Sequence, residues 1–194
     1  MSRSVADPPA ALTASGSLEQ RAEALARAHR PLRRAGTRSA PLVNLGDVSR
    51  AIEHAASAFR EPRLDDPIFQ KAAEWFLDNY YLLPRTLRQV KSELPNEFRR
   101  HLLHVGSDEL PRVFRIADAL IETTSVDFDE ATLLGFIQAY QRHEPLTIAE
   151  LWALPMTLRF AVLGTLLRVL SPTLGSRMWR GPRRSTPRCS WAGW

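Results

Sequence analysis

Prolines and short polar capping residues divide the stretch from Asp47 to Leu170 into brief pieces, and each piece repeats its apolar residues at helical spacing. Val48, Ile52, Ala55, Ala56 and Phe59 form the first stripe. Asp66-Pro67 suits a helix start, with Asp as N-cap and Pro in the first turn. Ile68, Ala72, Trp75, Phe76 and Leu83 then give a second stripe, which Pro84 should interrupt. Leu87, Val90 and Leu94 suit a short helix ending before Pro95. Pro111 opens the cleanest stripe: Leu110, Val113, Phe114, Ala117, Leu120 and Ile121. Asp127 with Glu130 has capping-box spacing ahead of Leu133, Leu134, Ile137 and Tyr140. Thr147 with Glu150 repeats that spacing ahead of Ile148, Leu151 and Trp152. No stretch alternates in the strand manner. The expectation is an all-α bundle of about six to seven helices, with disordered N- and C-terminal tails.

Three regions follow. Residues 1–46 are expected to be disordered or linker with one polar helix, opened by Ser17 and Gln20 and running over about 18–29. Residues 47–170 are the helical domain. Residues 171–194 form a basic disordered tail with five arginines (Arg177, Arg180, Arg183, Arg184, Arg188) and no acidic residue. Two origins fit that tail: a natural basic segment, or translation out of frame through GC-rich DNA.

The net charge of +5 comes from the tail, because residues 1–170 hold 21 basic and 21 acidic residues. A balanced body offers no basic stripe, so no specific nucleic-acid partner is expected. The single cysteine, Cys189, allows no intrachain disulfide and fits a reducing compartment. No apolar leader precedes the body, and a cytoplasmic location is expected. The apolar run Ile148–Leu170 contains Glu150, Arg159 and Arg168, which favours a core helix over a membrane span.

The chemistry-bearing combinations are sparse. Glu97, His101 and His104 have helical i, i+4, i+7 spacing, but nothing completes a metal site, and solvated or capping roles fit better. Glu74 and Asp78 lie one turn apart on one helix, whereas glycosidic acid–base pairs must flank the scissile bond. Asn79 shares the face of Trp75 and Phe76, so its amide should need a buried partner, expected in the backbone near Pro84. Tyr80 and Tyr81 suit stacking on a sugar ring, though packing between helices is the simpler role. Arg99, Arg100 and His101 form a short basic patch expected to be solvated. Nucleophile-elbow, phosphate-loop and Cys-x-x-Cys patterns are all missing from the sequence. No residue is assigned a catalytic, cofactor-binding or metal-binding role.

Three strings carry a resemblance: Ala73-Glu74-Trp75-Phe76-Leu77-Asp78-Asn79-Tyr80, Leu110-Pro111-Arg112-Val113-Phe114, and Ala139-Tyr140-Gln141 running into the segment Pro145–Pro155. In order and spacing they resemble the N-terminal region of bacterial cyclic β-1,2-glucan synthases, over about Phe69–Leu170. The matching positions, expected to be structural, are Glu74, Trp75, Asp78, Asn79, Tyr80, Pro111, Tyr140, Thr147, Glu150, Leu151, Trp152 and Pro155. The resemblance implies large inner-membrane proteins that join a UDP-glucose-dependent glucosyltransferase to a phosphorylase-like module. The transferase motifs lie beyond the matched segment, so none maps onto this chain. The implied role is a truncated, non-catalytic helical segment, not an enzyme by itself, packing against the remainder of the synthase or a membrane-associated glucan-synthesis complex. Its implied place is the cytoplasm, at the inner-membrane face, with self-association where packing surface is left uncovered. Two alternatives stand beside it: a stand-alone helical interaction module, and weak nucleic-acid binding through the tail.

Overall fold

The structure, a computed structural model, describes residues 10–34, 45–61, 67–105, 110–124 and 128–173. In chain order these form α1 (Ala10–Ala28), β1 (Leu32–Arg34), α2 (Leu45–Arg60), α3 (Pro67–Asp78), α4 (Leu82–Glu93), α5 (Asn96–Arg99), β2 (Leu103–Val105), α6 (Arg112–Thr124), α7 (Glu130–Gln141) and α8 (Ile148–Thr173). The architecture is an all-α bundle, as the periodicity predicts. Seven helices have 12 residues or more, and α5 is a single turn.

The long helix α8 is the axis. It packs along α6, crosses α4 and touches α2, while α1 lies along α7. The main core joins Val48 and Ile52 of α2, Leu87 and Val90 of α4, Val113, Phe114 and Leu120 of α6, Phe136 and Tyr140 of α7, and Phe160 and Leu167 of α8. Phe114 and Phe160 meet edge to face at 5.8 Å, fixing the α6–α8 crossing. A second cluster gathers Phe59, Phe69, Phe76 and Leu170, with Phe59 5.2 Å from Phe69 and 5.1 Å from Phe76.

Local chemistry explains the boundaries. Pro84 stands in the first turn of α4, where a missing N–H costs nothing, so it starts this helix after the Asn79–Tyr81 turn. Leu94 caps α4 ahead of Pro95, as expected. Asp129 caps α7 by accepting from the Thr132 N–H at 2.8 Å. The expected cap, Asp127, lies outside the described residues.

Several expectations change. The helix placed over 18–29 begins at Ala10, inside the stretch before it that was expected to be disordered or linker. It is also part of the body: Leu18, Ala22 and Ala26 are buried in the main core, so the packed unit does not begin at residue 47. Small Ala side chains let α1 approach α7 closely, and this apolar face is too narrow to dominate its sequence. Within the expected linker, β1 pairs antiparallel with β2 (Leu32↔Val105, Arg33↔His104, Arg34↔Leu103). Three-residue strands are too short to show alternation. Finally, α3 buries Phe69, Ala73 and Phe76, while Ile68 and Trp75 are 81% and 57% exposed. The buried stripe is rotated by one residue from the expected one, because the aromatic cluster around Phe59 selects Phe69 over Ile68. The tail expected over 171–194 loses its first three residues to α8, which runs on to Thr173; the rest of the expectation for the tails falls on residues 1–9 and 174–194, outside the described residues.

Candidate functional site

The densest polar constellation lies where α6, the end of α7 and the start of α8 meet. Arg112 begins α6 and is fully buried, one turn before buried Ile116. Its Nε donates to Glu150 Oε1 at 2.6 Å, and its Nη2 donates to Glu150 Oε2 at 2.8 Å and to the Pro145 carbonyl at 2.6 Å. Nη1 lies 3.7 Å from Glu144 Oε1, and the guanidinium carbon stands 5.9 Å from the centre of the Tyr140 ring. Such a two-armed pair is the strongest geometry open to Arg and a carboxylate.

Glu150 serves two masters. The Thr147 N–H and Oγ1 both donate to its Oε2, at 2.8 and 2.9 Å, and its own N–H donates to Thr147 Oγ1 at 3.3 Å. This is the capping box expected from the sequence, and its carboxylate also neutralises Arg112. Burial alone would raise the Glu150 pKa, but the Arg112 hydrogen bonds and the Thr147 N–H hold it below the ordinary value of 4.5. Burial likewise works against the Arg112 charge, yet Glu150 outweighs it and the guanidinium is held above its ordinary value. Both oxygens of Glu150 are occupied by donors of the chain itself. The pair is therefore chemically a staple, with no free lone pair facing an open cleft.

Around it sits an outer ring from α1 and the two residues after it, His29 and Arg30. Tyr140 is buried, and its hydroxyl lies 2.9 Å from His29 Nδ1. Burial pushes the Tyr140 hydroxyl up to about 12. Arg30 donates to Glu144 Oε2 at 2.9 Å and to the His143 carbonyl at 2.8 Å. Arg142 reaches Glu19 and Glu23 at 3.1 and 3.2 Å. His143 Nε2 lies 3.3 Å from Glu23 Oε2 and 3.0 Å from Arg27 Nη1.

The motif positions divide between this interior and the surface. Pro111, Tyr140 and Glu150 lie in the interior, with Pro111 bridged to His104, and the exposed Thr147 reaches Glu150 from the rim. Glu74, Trp75 and Asp78 face outward on α3. Asn79 is half-buried, and its Nδ2 donates to the Trp75 carbonyl at 2.8 Å, not to backbone near Pro84. The helix ends there, so its own carbonyl is the nearer acceptor. Tyr80 packs 6.2 Å from Phe76 and under Arg60 at 5.7 Å, whereas Tyr81 is 65% exposed and does not pack as expected. Leu151, Trp152 and Pro155 are exposed on α8.

The facial trio is not formed on one helix. α5 stops at Arg99, His101 follows in a turn, and His104 is buried in β2. The Glu97 side chain lies outside the described residues. No cluster of three or more potential metal ligands occurs among the described residues. Arg99 is half-buried, and burial lowers its pKa, so it is not the solvated patch residue expected. The residues without an expected role that matter most are Arg112, Glu144, Arg30 and His29. Only Arg112 had a visible signal: a cation at helical spacing from the apolar Ile116 and Leu120.

Fold and site together define a helical bundle stapled by a buried Arg–Glu pair. Over 100 residues, half of this chain, it is 34% identical to the cyclic β-(1,2)-glucan synthase NdvB of Rhizobium meliloti (strain 1021). Half of the chain thus resembles part of that synthase, as the strings imply, and the matched stretch spans 4% of the synthase's length. No family model matches the chain, and no solved structure does.

Proposed function

We propose that this chain is a non-catalytic helical accessory segment of a cyclic β-1,2-glucan synthase, acting by packing against the remainder of that enzyme. The observation that carries the proposal is how the motif residues are used. Arg112, Tyr140, Thr147 and Glu150 are spent on internal contacts that hold three helices together, which supports a packing role for these four side chains. Of the other motif residues, Glu74, Trp75, Asp78, Leu151, Trp152 and Pro155 lie outside: Trp75 stands exposed between Glu74 and Asp78 on α3, with exposed Ile68 two turns earlier. A large aromatic rimmed by charge is the composition of a protein–protein hot spot.

A chimera tests this. The matched stretch of the Rhizobium meliloti synthase is replaced by residues 69–170 of this chain, and cyclic glucan is measured in cells lacking the native enzyme. The expected result is retained synthesis, lowered several-fold by Trp75→Ala. A chimera that accumulates at full length and makes no glucan, or a purified chain that forms glucan alone, would sink the proposal.

A further inference from the structure

α8 is apolar on two sides, and the bundle covers one of them. The segment Ile148–Ser171 is long and apolar enough to cross a membrane by length and composition, yet half of it is buried inside the bundle. The other side carries Ile148, Leu151, Trp152, Pro155, Val162 and Val169 in the open, with Ile148, Trp152 and Val169 exposed at 76%, 77% and 66%. Their spacing keeps them within about a third of the helix circumference. From Ile148 to Val169 the face is roughly 32 Å long. Its one charged residue among the described residues is Arg159; the acid of this helix, Glu150, is turned inward to Arg112.

We propose that this outer face of α8 is a membrane-surface binding face that lies along an anionic lipid bilayer. Charges on a neighbouring helix and in the sequence that follows α8 select that occupant. α4, packed against α8, exposes Arg85, Arg88 and Lys91 alongside Glu93. The 21 residues that follow Thr173 include five arginines and no acidic residue. An apolar helix face with a Trp and flanking cations is the composition of an interfacial helix. Arg159 fits such a site, since its stem can lie on the apolar surface while the guanidinium reaches lipid phosphates. A second copy of this chain fits poorly. Arg159 lies near the middle of the face, so a symmetric pair centred there sets two guanidinium groups against each other. The α3 face around Trp75 differs, because Glu74 and Asp78 would repel anionic lipid. This inference does not rest on the glucan-synthase reading; the chimera and the vesicle assay test different faces of the molecule.

The assay is co-sedimentation of the full chain with vesicles of phosphatidylcholine containing about 30% phosphatidylglycerol, against phosphatidylcholine alone. Binding is expected to the anionic vesicles, weakening when salt rises from roughly 0.1 to 1 M. The double variant Ile148→Ser, Trp152→Ser is expected to lose about tenfold or more of that affinity. Val162→Ser, Val169→Ser, at the other end of the face, is expected to lose affinity as well, and unchanged helical circular dichroism verifies both folds. Tryptophan fluorescence should shift to the blue with vesicles in the parent chain, with a smaller shift in Trp152→Phe. Unchanged binding by both double variants overturns the proposal, as does binding that survives them and vanishes only when residues 174–194 are removed. A dimer that forms without vesicles and is broken by Ile148→Ser, Trp152→Ser also overturns it, because a second copy then covers the face.

Discussion

Arg112 and Glu150, 38 positions apart in sequence, meet through two hydrogen bonds of 2.6 and 2.8 Å with both side chains at 0% exposure. Through Pro145 and Thr147 the same contact fixes the chain entering α8. Removing one partner leaves a buried charge, so Glu150→Leu or Arg112→Met is expected to cost about 3–5 kcal/mol. The double variant Arg112→Met, Glu150→Leu should cost less than either single change, since no uncompensated charge remains. It still forfeits the cap, worth about 1 kcal/mol. Urea denaturation of the three variants checks the order.

Two buried groups contribute to the pH dependence of stability with opposite signs. Glu150 titrates below its ordinary 4.5 in the folded chain. Its contribution is fully present above that value and is lost as pH falls through the lower folded pKa. Tyr140 moves the other way, from 10.0 to about 12, so its contribution is full below pH 10 and is lost between pH 10 and 12 as the unfolded chain ionises first. Tyr140→Phe should flatten the alkaline limb and leave the acid limb in place, which thermal melts across the pH range will show.

Neighbouring aromatics on α3 should behave oppositely. Phe76 is fully buried, and Phe76→Ala is expected to cost about 3–5 kcal/mol. Trp75 is largely exposed, and Trp75→Ala should change stability by about 0.5 kcal/mol or less. Equal losses on chemical denaturation would contradict the rotated stripe.

α1 should come away from α7 when its small-residue face is charged. Ala22 and Ala26 are at 0% exposure against the main core. Ala26→Glu buries an unpaired carboxylate and is expected to cost about 3 kcal/mol or more. Limited proteolysis should then cut α1 first, while α6 and α8 stay protected.

For three of the stripes periodicity was enough. Val48 to Phe59, Leu87 to Leu94 and Leu110 to Ile121 are buried as spaced, and the box of Thr147 and Glu150 forms as its spacing predicts. These are short-range matters: period, missing N–H groups and caps act within a turn or two of helix. Those features set an all-α bundle and placed most helix starts.

Contacts between distant segments decided the rest. Phe59 chose Phe69 over Ile68, β2 found β1 about 70 residues earlier, and α1 joined the core through alanines that carry little hydrophobic signal. Arg112 would pass for a surface cation until folding brings Glu150 to it, because burying a charge is tolerable only when its counter-charge arrives too. The outer face of α8 is the same case in reverse: its residues are as apolar as the core, and only the packing of α6, α4 and α2 decides which of them remain uncovered.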